Sequence, residues 1–148
     1  MNLGKACSPV LLLILFALGC SSGNAPDRAH VQGDVKVDGV PLEKGSIDFF
    51  PVDGTQGPSA GGVIENGKYD LARGKGPAVG RNRVEIHGVK KTGRKVPDHM
   101  APGTMRDETV EAVPADFNTN STLVRDIAPG SNVVDFNDLK GVALKTRK

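Results

Sequence analysis

The sequence is poor in aromatic side chains and in cysteine. Its 148 residues include no tryptophan, one tyrosine and five phenylalanines, so a hydrophobic core must be built mainly from Val, Ile and Leu. The two cysteines, Cys7 and Cys20, both lie near the amino terminus, which leaves no disulfide for the residues that follow. A domain of ~110 to 130 residues can fold on such a core without disulfides.

The sequence also lacks an excess of charge of one sign. It carries 19 Lys and Arg against 17 Asp and Glu, a formal net charge of +2 at pH 7. Acids and bases are interspersed along nearly the whole chain, whereas proteins that bind nucleic acids concentrate positive charge on one face. We therefore predict no nucleic-acid partner.

Residue patterns typical of catalysis are missing as well. None of the three histidines has a second ligand at a spacing such as HxxxH, and no serine lies in a GxSxG motif. His87 shares a predicted strand face with Glu85, and His99 follows Asp98, but a solvated polar pair is the favoured interpretation of both. We predict no catalytic residue, no metal and no cofactor, and hence a protein that is not an enzyme.

The amino-terminal segment has the pattern of a secretory signal. Lys5 precedes an uninterrupted apolar run from Val10 to Leu18, and the small Gly19 follows it. As a helix this run would span only roughly 13 Å, which is short of the ~30 Å hydrocarbon core of a bilayer. The pattern predicts a signal peptide over residues 1–19 and disfavours a permanent transmembrane helix.

The end of this segment, Ala17-Leu18-Gly19-Cys20, resembles the lipobox of bacterial lipoproteins, although Ala17 stands where that motif usually has leucine and Leu18 where it has a small residue. The resemblance implies lipid on Cys20 and a membrane partner through that lipid. Several acyl chains make such an attachment effectively permanent. Residues 20–29 are predicted to form a flexible tether, and Ser21 favours the outer over the inner membrane by the same resemblance.

Beyond the tether the sequence predicts about seven short strands and no amphipathic helix. Apolar residues alternate with polar ones, and turn signals such as Asp38-Gly39 and Asn66-Gly67 separate the alternating runs. Arg125 falls on an inward face, which fits only a strand at the edge of a sheet. The clearest runs are Val31 to Val37, Ser46 to Val52, Gly62 to Glu65, Lys68 to Leu71, Val79 to Val89, Thr122 to Ile127 and Asn132 to Leu139. The pattern predicts an all-β domain, most simply a β-sandwich.

The stretch 90–112 has no apolar periodicity and is predicted to be a long irregular loop. It holds the one cluster of positive charge in the chain: Lys90, Lys91, Arg94 and Lys95. Such a cluster could contact anionic lipid head groups or polyanionic polymers at ~1 kcal/mol per base. The alternative is a solvated loop whose bases oppose the nearby acids Asp107, Glu108 and Glu111.

The segments Val31–Pro51 and Asn66–Leu71 resemble the opening of carboxypeptidase regulatory-like domains, with alternating valines, an Asp-Gly turn, a Pro-Leu step and a strand ending in Phe-x-Pro. Val113–Leu123 and Pro129–Asn132 are similar to the closing half of small bacterial envelope lipoproteins that carry this domain. The resemblance implies a seven-stranded, Greek-key, transthyretin-like sandwich over residues 30–140, followed by a polar tail at 141–148. In that family the domain is an accessory or has no assigned function, so no site residue follows from it.

Taken together, these features predict a lipid-anchored protein of the cell envelope that acts as a non-enzymatic binding or structural module. Its partner is expected to be an envelope polymer or protein. The alternative is a hydrolase, or an accessory subunit of one, acting on envelope or extracellular polymers. A deep pocket with converging polar groups around His87 or His99 would favour the enzyme.

Overall fold

The computed structural model describes residues 26–142. The predicted signal peptide, Cys20, the first part of the tether and the tail from residue 143 onward lie outside the described residues. The described chain is all-β, as predicted, with two short 3₁₀ turns at Arg73–Lys75 and Ala115–Phe117. Its strands are β1 (His30–Val37), β2 (Val40–Pro41), β3 (Lys44–Pro51), β4 (Ala60–Glu65), β5 (Lys68–Leu71), β6 (Gly80–Pro97), β7 (Met105–Glu111), β8 (Val124–Ile127), β9 (Ser131–Val133) and β10 (Phe136–Leu139).

The strands join in the order β10-β1-β5-β4-β3-β6-β7, with β2 and β9 also paired to β1 and β8 paired to β6. All pairings are antiparallel except those of β1 with β9 and β10, which are parallel. Ten strands are therefore described where about seven were predicted. The difference arises because β2 is a two-residue strand, the last predicted strand is divided into β9 and β10, and β7 lies where a loop was predicted.

The sheet folds over on itself between β4 and β5. These two strands share only one register pair, Glu65 with Lys68, across the turn that Asn66 and Gly67 form with φ of 52° and 75°. The buried residues of β1 and β5 therefore pack against those of β3 and β6. The core comprises Ala29, Val31, Val35, Leu42, Ile47, Phe49, Ile64, Tyr69, Leu71, Val84, Ile86, Ala112, Val113, Ile127, Phe136 and Leu139.

The period-two patterns predicted which side chains point inward. Ile47 and Phe49 on β3, and Val84 and Ile86 on β6, are fully buried, while their polar neighbours lie on the outer face. Near the carboxyl end, Phe136 is buried, whereas Val134 is half-buried and packs against the core.

The last strands do not pair with each other. β8 lies against β6 and β9 lies against β1, so the turn at Ala128–Gly130 carries the chain from one side of the fold to the other. Arg125 lies on the edge strand β8, and its guanidinium stacks 4.9 Å from the centre of the Phe136 ring. This contact accounts for a charged residue on an inward-facing position.

The predicted tether is wrong at its carboxyl end. Ala29 is fully buried, and its amide donates to the carbonyl oxygen of Pro77. The amide of Val79 in turn donates to the carbonyl oxygen of Asp27. Residues 27–29 therefore belong to the folded domain. Ala29 is buried there, and the backbone groups of Asp27 and Ala29 are hydrogen-bonded to the segment that precedes β6.

The predicted irregular loop at 90–112 is also wrong, because β6 continues to Pro97 and β7 returns beside it to Glu111. We call residues 90–110 the arm. No side chain in the arm is buried. An apolar period of two appears only where one strand face is buried, so a ribbon that is wet on both faces gives no such signal.

Candidate functional site

The four bases singled out from the sequence lie on the β6 strand of the arm, and all four have partners. Lys91 and Lys95 both reach the carboxylate of Asp107, at 3.2 and 2.6 Å. Arg94 donates two hydrogen bonds of 2.8 Å to the carboxylate of Glu108. The ammonium of Lys90 donates to the carbonyl oxygen of Val142 at 2.6 Å. The bases thus oppose nearby acids, which is the second of the two arrangements considered from the sequence. Binding of a polyanion stays a prediction.

The electrostatics of the arm follow from these pairs. Hydrogen bonds from Lys95 and Lys91 hold the pKa of Asp107 below its usual value. Hydrogen bonds from Arg94 and then from the Thr92 hydroxyl lower the pKa of Glu108 in the same way. Both carboxylates are therefore ionised at neutral pH and cancel much of the positive charge on β6.

A bulge interrupts the arm between these ion pairs. The register passes from Lys91 opposite Thr109 to Lys95 opposite Asp107, so β6 holds extra residues there, and Gly93 takes a φ of +82° that favours glycine. The ends of the bulge place Lys91 and Lys95 on one face of the ribbon. The same carboxylate can consequently accept from both.

The tip of the arm is a braced turn with exposed methionines. The amide of Asp98 donates to the carbonyl oxygen of Thr104, and the amide of Thr104 donates to that of Ala101. Met100 is 94% exposed and Met105 is 58% exposed. The internal hydrogen bonds hold the turn in shape, so two flexible apolar side chains are presented to the surroundings from a defined position.

A cleft of about 320 Å³ opens at the base of the arm. Its apolar floor includes Leu42, which occupies the space left by the missing side chain of Gly88. Val40 and Val89 line it and are 64% and 43% exposed. Two bases, Lys90 and Lys91, and two acids, Asp38 and Glu43, also line it. No pattern in the sequence indicates this cleft, since β2 was not predicted.

A second, wider groove of about 620 Å³ crosses the outer surface of β1, β5 and the segment after β9. Lys68 donates to the carboxylate of Asp34 at 2.8 Å, and this hydrogen bond lowers the pKa of Asp34 and raises that of Lys68. The amide of Asp34 donates to the carboxylate of Asp135 at 2.8 Å. These contacts tie β1 to β5 and to the segment after β9, so Asp34, Lys68 and Asp135 are engaged in holding the fold.

The outer face of β3 and β6 carries a third polar cluster. Asp48 lies opposite Glu85 in the register, and Nε2 of His87 is 3.8 Å from a carboxylate oxygen of Glu85. Partial burial raises the pKa of Asp48, and Arg83 forms an ion pair with Glu85. The predicted shared face of Glu85 and His87 is confirmed. Within residues 26–142, no group of three or more His, Cys, Asp or Glu side chains has the arrangement of a metal site.

His99 lies in the turn at the tip of the arm and is exposed. Neither it nor His87 lines either of the two clefts described above. The lipidation residue predicted from the sequence, Cys20, lies outside the described residues. Between residues 26 and 142 there is no helix with the length and apolar character needed to cross a membrane.

Comparison with known proteins gives no relative on which to rest an assignment. No protein family, no curated protein and no solved structure matches the chain.

Proposed function

We propose that this protein is a lipid-anchored component of a bacterial cell envelope, held by Cys20 and acting as a non-enzymatic binding or structural module without a cofactor. Its domain is of the transthyretin-like, carboxypeptidase regulatory-like type, and its partner is an envelope polymer or protein. The folded-over, all-β architecture supports this type of domain. The wider groove supports a module, because its Asp34, Lys68 and Asp135 are engaged in hydrogen bonds that hold β1 to β5 and to the segment after β9.

The observation that carries the proposal is the position of the two ends of β6. The first described residues lie beside its start, where Val79 donates to Asp27 and Arg28 forms a bridge with Ala78. The arm lies at its other end, after an 18-residue strand. At about 3.3 Å per residue, with some loss to twist and the bulge, roughly 50 Å separates them. A lipid on Cys20 would thus anchor one end and direct the arm away from the membrane.

The anchor is tested by expressing the full chain and its Cys20→Ala variant in a bacterium with two membranes, followed by intact-mass analysis and membrane fractionation. The wild-type chain is expected to lose residues 1–19, gain the mass of its acyl chains and sediment with membranes. The Cys20→Ala chain is expected to do neither. Cys7→Ala is the matched control and should behave as wild type, because Cys7 lies inside the predicted signal peptide. Equal masses and equal release of all three chains would contradict the proposal.

The choice of membrane is tested separately. Ser21 follows the lipidated cysteine, and we propose that the mature chain is sorted to the outer membrane. A Ser21→Asp variant is expected to move to the inner-membrane fraction of a density gradient. A Ser22→Asp variant serves as the control. Wild-type protein found only in the inner membrane would overturn the proposed sorting while leaving the anchor itself intact.

A further inference from the structure

The arm extends from the domain, and neither of its faces is covered by another strand or helix of the described chain. Its residues, 90–110, include no buried side chain. A two-stranded ribbon in water is marginally stable by itself, because it has no third strand or helix to bury an apolar face. The arm is nonetheless regular, with ion pairs along its length and a braced turn at its tip. Such a surface is suited to packing against something outside the domain.

The tip and the base of the arm both present apolar surface. The tip presents Met100 and Met105, two long unbranched side chains that adapt readily to irregular apolar surfaces. The base holds the cleft of about 320 Å³, whose lining includes Val40, Leu42 and Val89. Burying a methionine side chain in such a cleft is favourable, because it removes apolar surface from water. The chain therefore carries both an apolar knob, Met100 with Met105, and an apolar hole, the cleft at the base of the arm.

The knob cannot fill the hole of its own chain. The arm strand from Lys90 to Pro97 is extended, and eight residues at about 3.3 Å each place the tip ~25 Å from the base. The braced turn and the cross-strand ion pairs oppose folding the ribbon back on itself. A second copy of the chain has no such restriction, because its arm can lie alongside in the opposite direction.

We propose that two copies of this protein pair through their arms, antiparallel and about a two-fold axis, with Met100 and Met105 of each copy in the cleft at the base of the other. A two-fold interface is self-complementary, so one knob and one hole per chain close the dimer with both filled. The middle of the arm permits this approach. Asp107 already neutralises Lys91 and Lys95 there, and Glu108 neutralises Arg94, so like charges do not oppose each other strongly.

The pairing is tested with cysteines placed at the knob and the hole of the full chain. In a Cys7→Ser background, the double variant Val40→Cys/Met100→Cys is treated in membranes with a bismaleimide linker shorter than the arm. Most of the chain is expected to migrate as a covalent dimer on a denaturing gel. Since the two positions are ~25 Å apart within one chain, such a link must join two copies.

The matched control is Val63→Cys/Met100→Cys, because Val63 is 69% exposed on the outer face of β4, outside the cleft at the base of the arm. This variant and each single cysteine variant are expected to stay monomeric on the gel. Absence of the dimer with Val40→Cys/Met100→Cys, or equal dimer with Val63→Cys, would overturn the pairing. A ladder of larger species would overturn the closed two-fold form. A free thiol at Cys20 would instead link every variant, the single ones included, which distinguishes failure of the lipid anchor from failure of the pairing.

Discussion

The phenol of Tyr69 on β5 donates a 2.7 Å hydrogen bond to the carbonyl oxygen of Val134, in the segment between β9 and β10. The ring of the same residue packs against Phe49 at a centroid distance of 6.3 Å. One side chain thus joins both layers of the core to the carboxyl-terminal strands. Because Tyr69 is the single tyrosine and there is no tryptophan, its absorbance and fluorescence report on this contact alone.

Loss of the Tyr69 hydroxyl is expected to weaken the fold and to change its response to alkali. Tyr69→Phe leaves the Val134 carbonyl without this donor and should lower the free energy of unfolding by about 1 to 2 kcal/mol in urea titrations. Burial, with the nearby Asp135 charge, raises the pKa of Tyr69 well above its usual range. The neutral phenol is therefore favoured in the folded state, so wild-type stability should fall as pH rises above about 10.

The alkaline loss should be smaller in Tyr69→Phe, which has no phenol to ionise. Tyrosinate absorbance of the wild-type protein is expected to appear only together with unfolding. Ionisation near pH 10 in a chain that stays folded would contradict the buried hydrogen bond.

The carboxyl of Asp48 is expected to oppose folding at neutral pH. Burial raises its pKa, with a smaller contribution from the Glu85 charge, so the folded state favours the protonated form. The stability that belongs to this protonated form is present below the usual aspartate pKa of about 4 and is lost as pH rises through the higher folded value. Asp48→Asn should therefore be more stable than wild type near neutral pH, with the difference shrinking in acid.

Urea unfolding of the two chains across this pH range measures the effect. Asp53→Asn is the comparison, since Asp53 is exposed in the turn after β3. A stability difference for Asp48→Asn that does not change with pH would show that the carboxyl charge is not its source.

The ion pairs of the arm are expected to control local opening and not global stability. The pKa of Glu108 is lowered, so the stabilisation it provides is present above the usual glutamate pKa and is lost as pH falls through the lower folded value. In hydrogen exchange, Glu108→Gln should speed exchange of amides in the arm while leaving those of β3 protected. Asp116→Asn, on a 3₁₀ turn outside the arm, should leave both unchanged.

Gly33 is expected to tolerate no larger side chain. A Cβ at this position would collide with the carbonyl of Val134, while one at Gly74 would meet open space. Gly33→Ala should therefore lower the free energy of unfolding by about 1 to 3 kcal/mol, the usual range for a forced overlap in a packed interior. Gly74→Ala should be nearly neutral. Equal stability of the two variants would show that β1 can move away from the segment after β9.

Most of the core could be predicted from the sequence because one wet face and one buried face leave a period of two. Val84 and Ile86 alternate with Arg83, Glu85 and His87, and the structure orients them accordingly. The signal fails for the arm, where both faces are wet and cross-strand ion pairs hold the ribbon. Alternation along one strand does not indicate which strand pairs with it. The pairing of β8 with β6 and of β9 with β1 could therefore not be predicted from the sequence.

The sequence indicated where the candidate site lies but not its geometry. The cluster of bases drew attention to residues 90–95, but the acids that pair with them lie 12 or more residues away along the chain, across a bulge that no local pattern indicates. The cleft depends on Leu42 packing at Gly88 and on the short strand β2. Such contacts between distant segments leave no periodicity in the sequence.

The parallel pairing of β1 with β9 and β10 has a consequence for how the chain folds. The backbone amide of Asp34 and the side chain of Asp135, 101 residues apart, are hydrogen-bonded partners, so the first strand acquires its last neighbours only when almost all of the domain is present. Contacts of such long sequence separation slow folding. During synthesis the chain would remain without its native fold until the segment containing Phe136 emerged, a delay that would be compatible with the export proposed above.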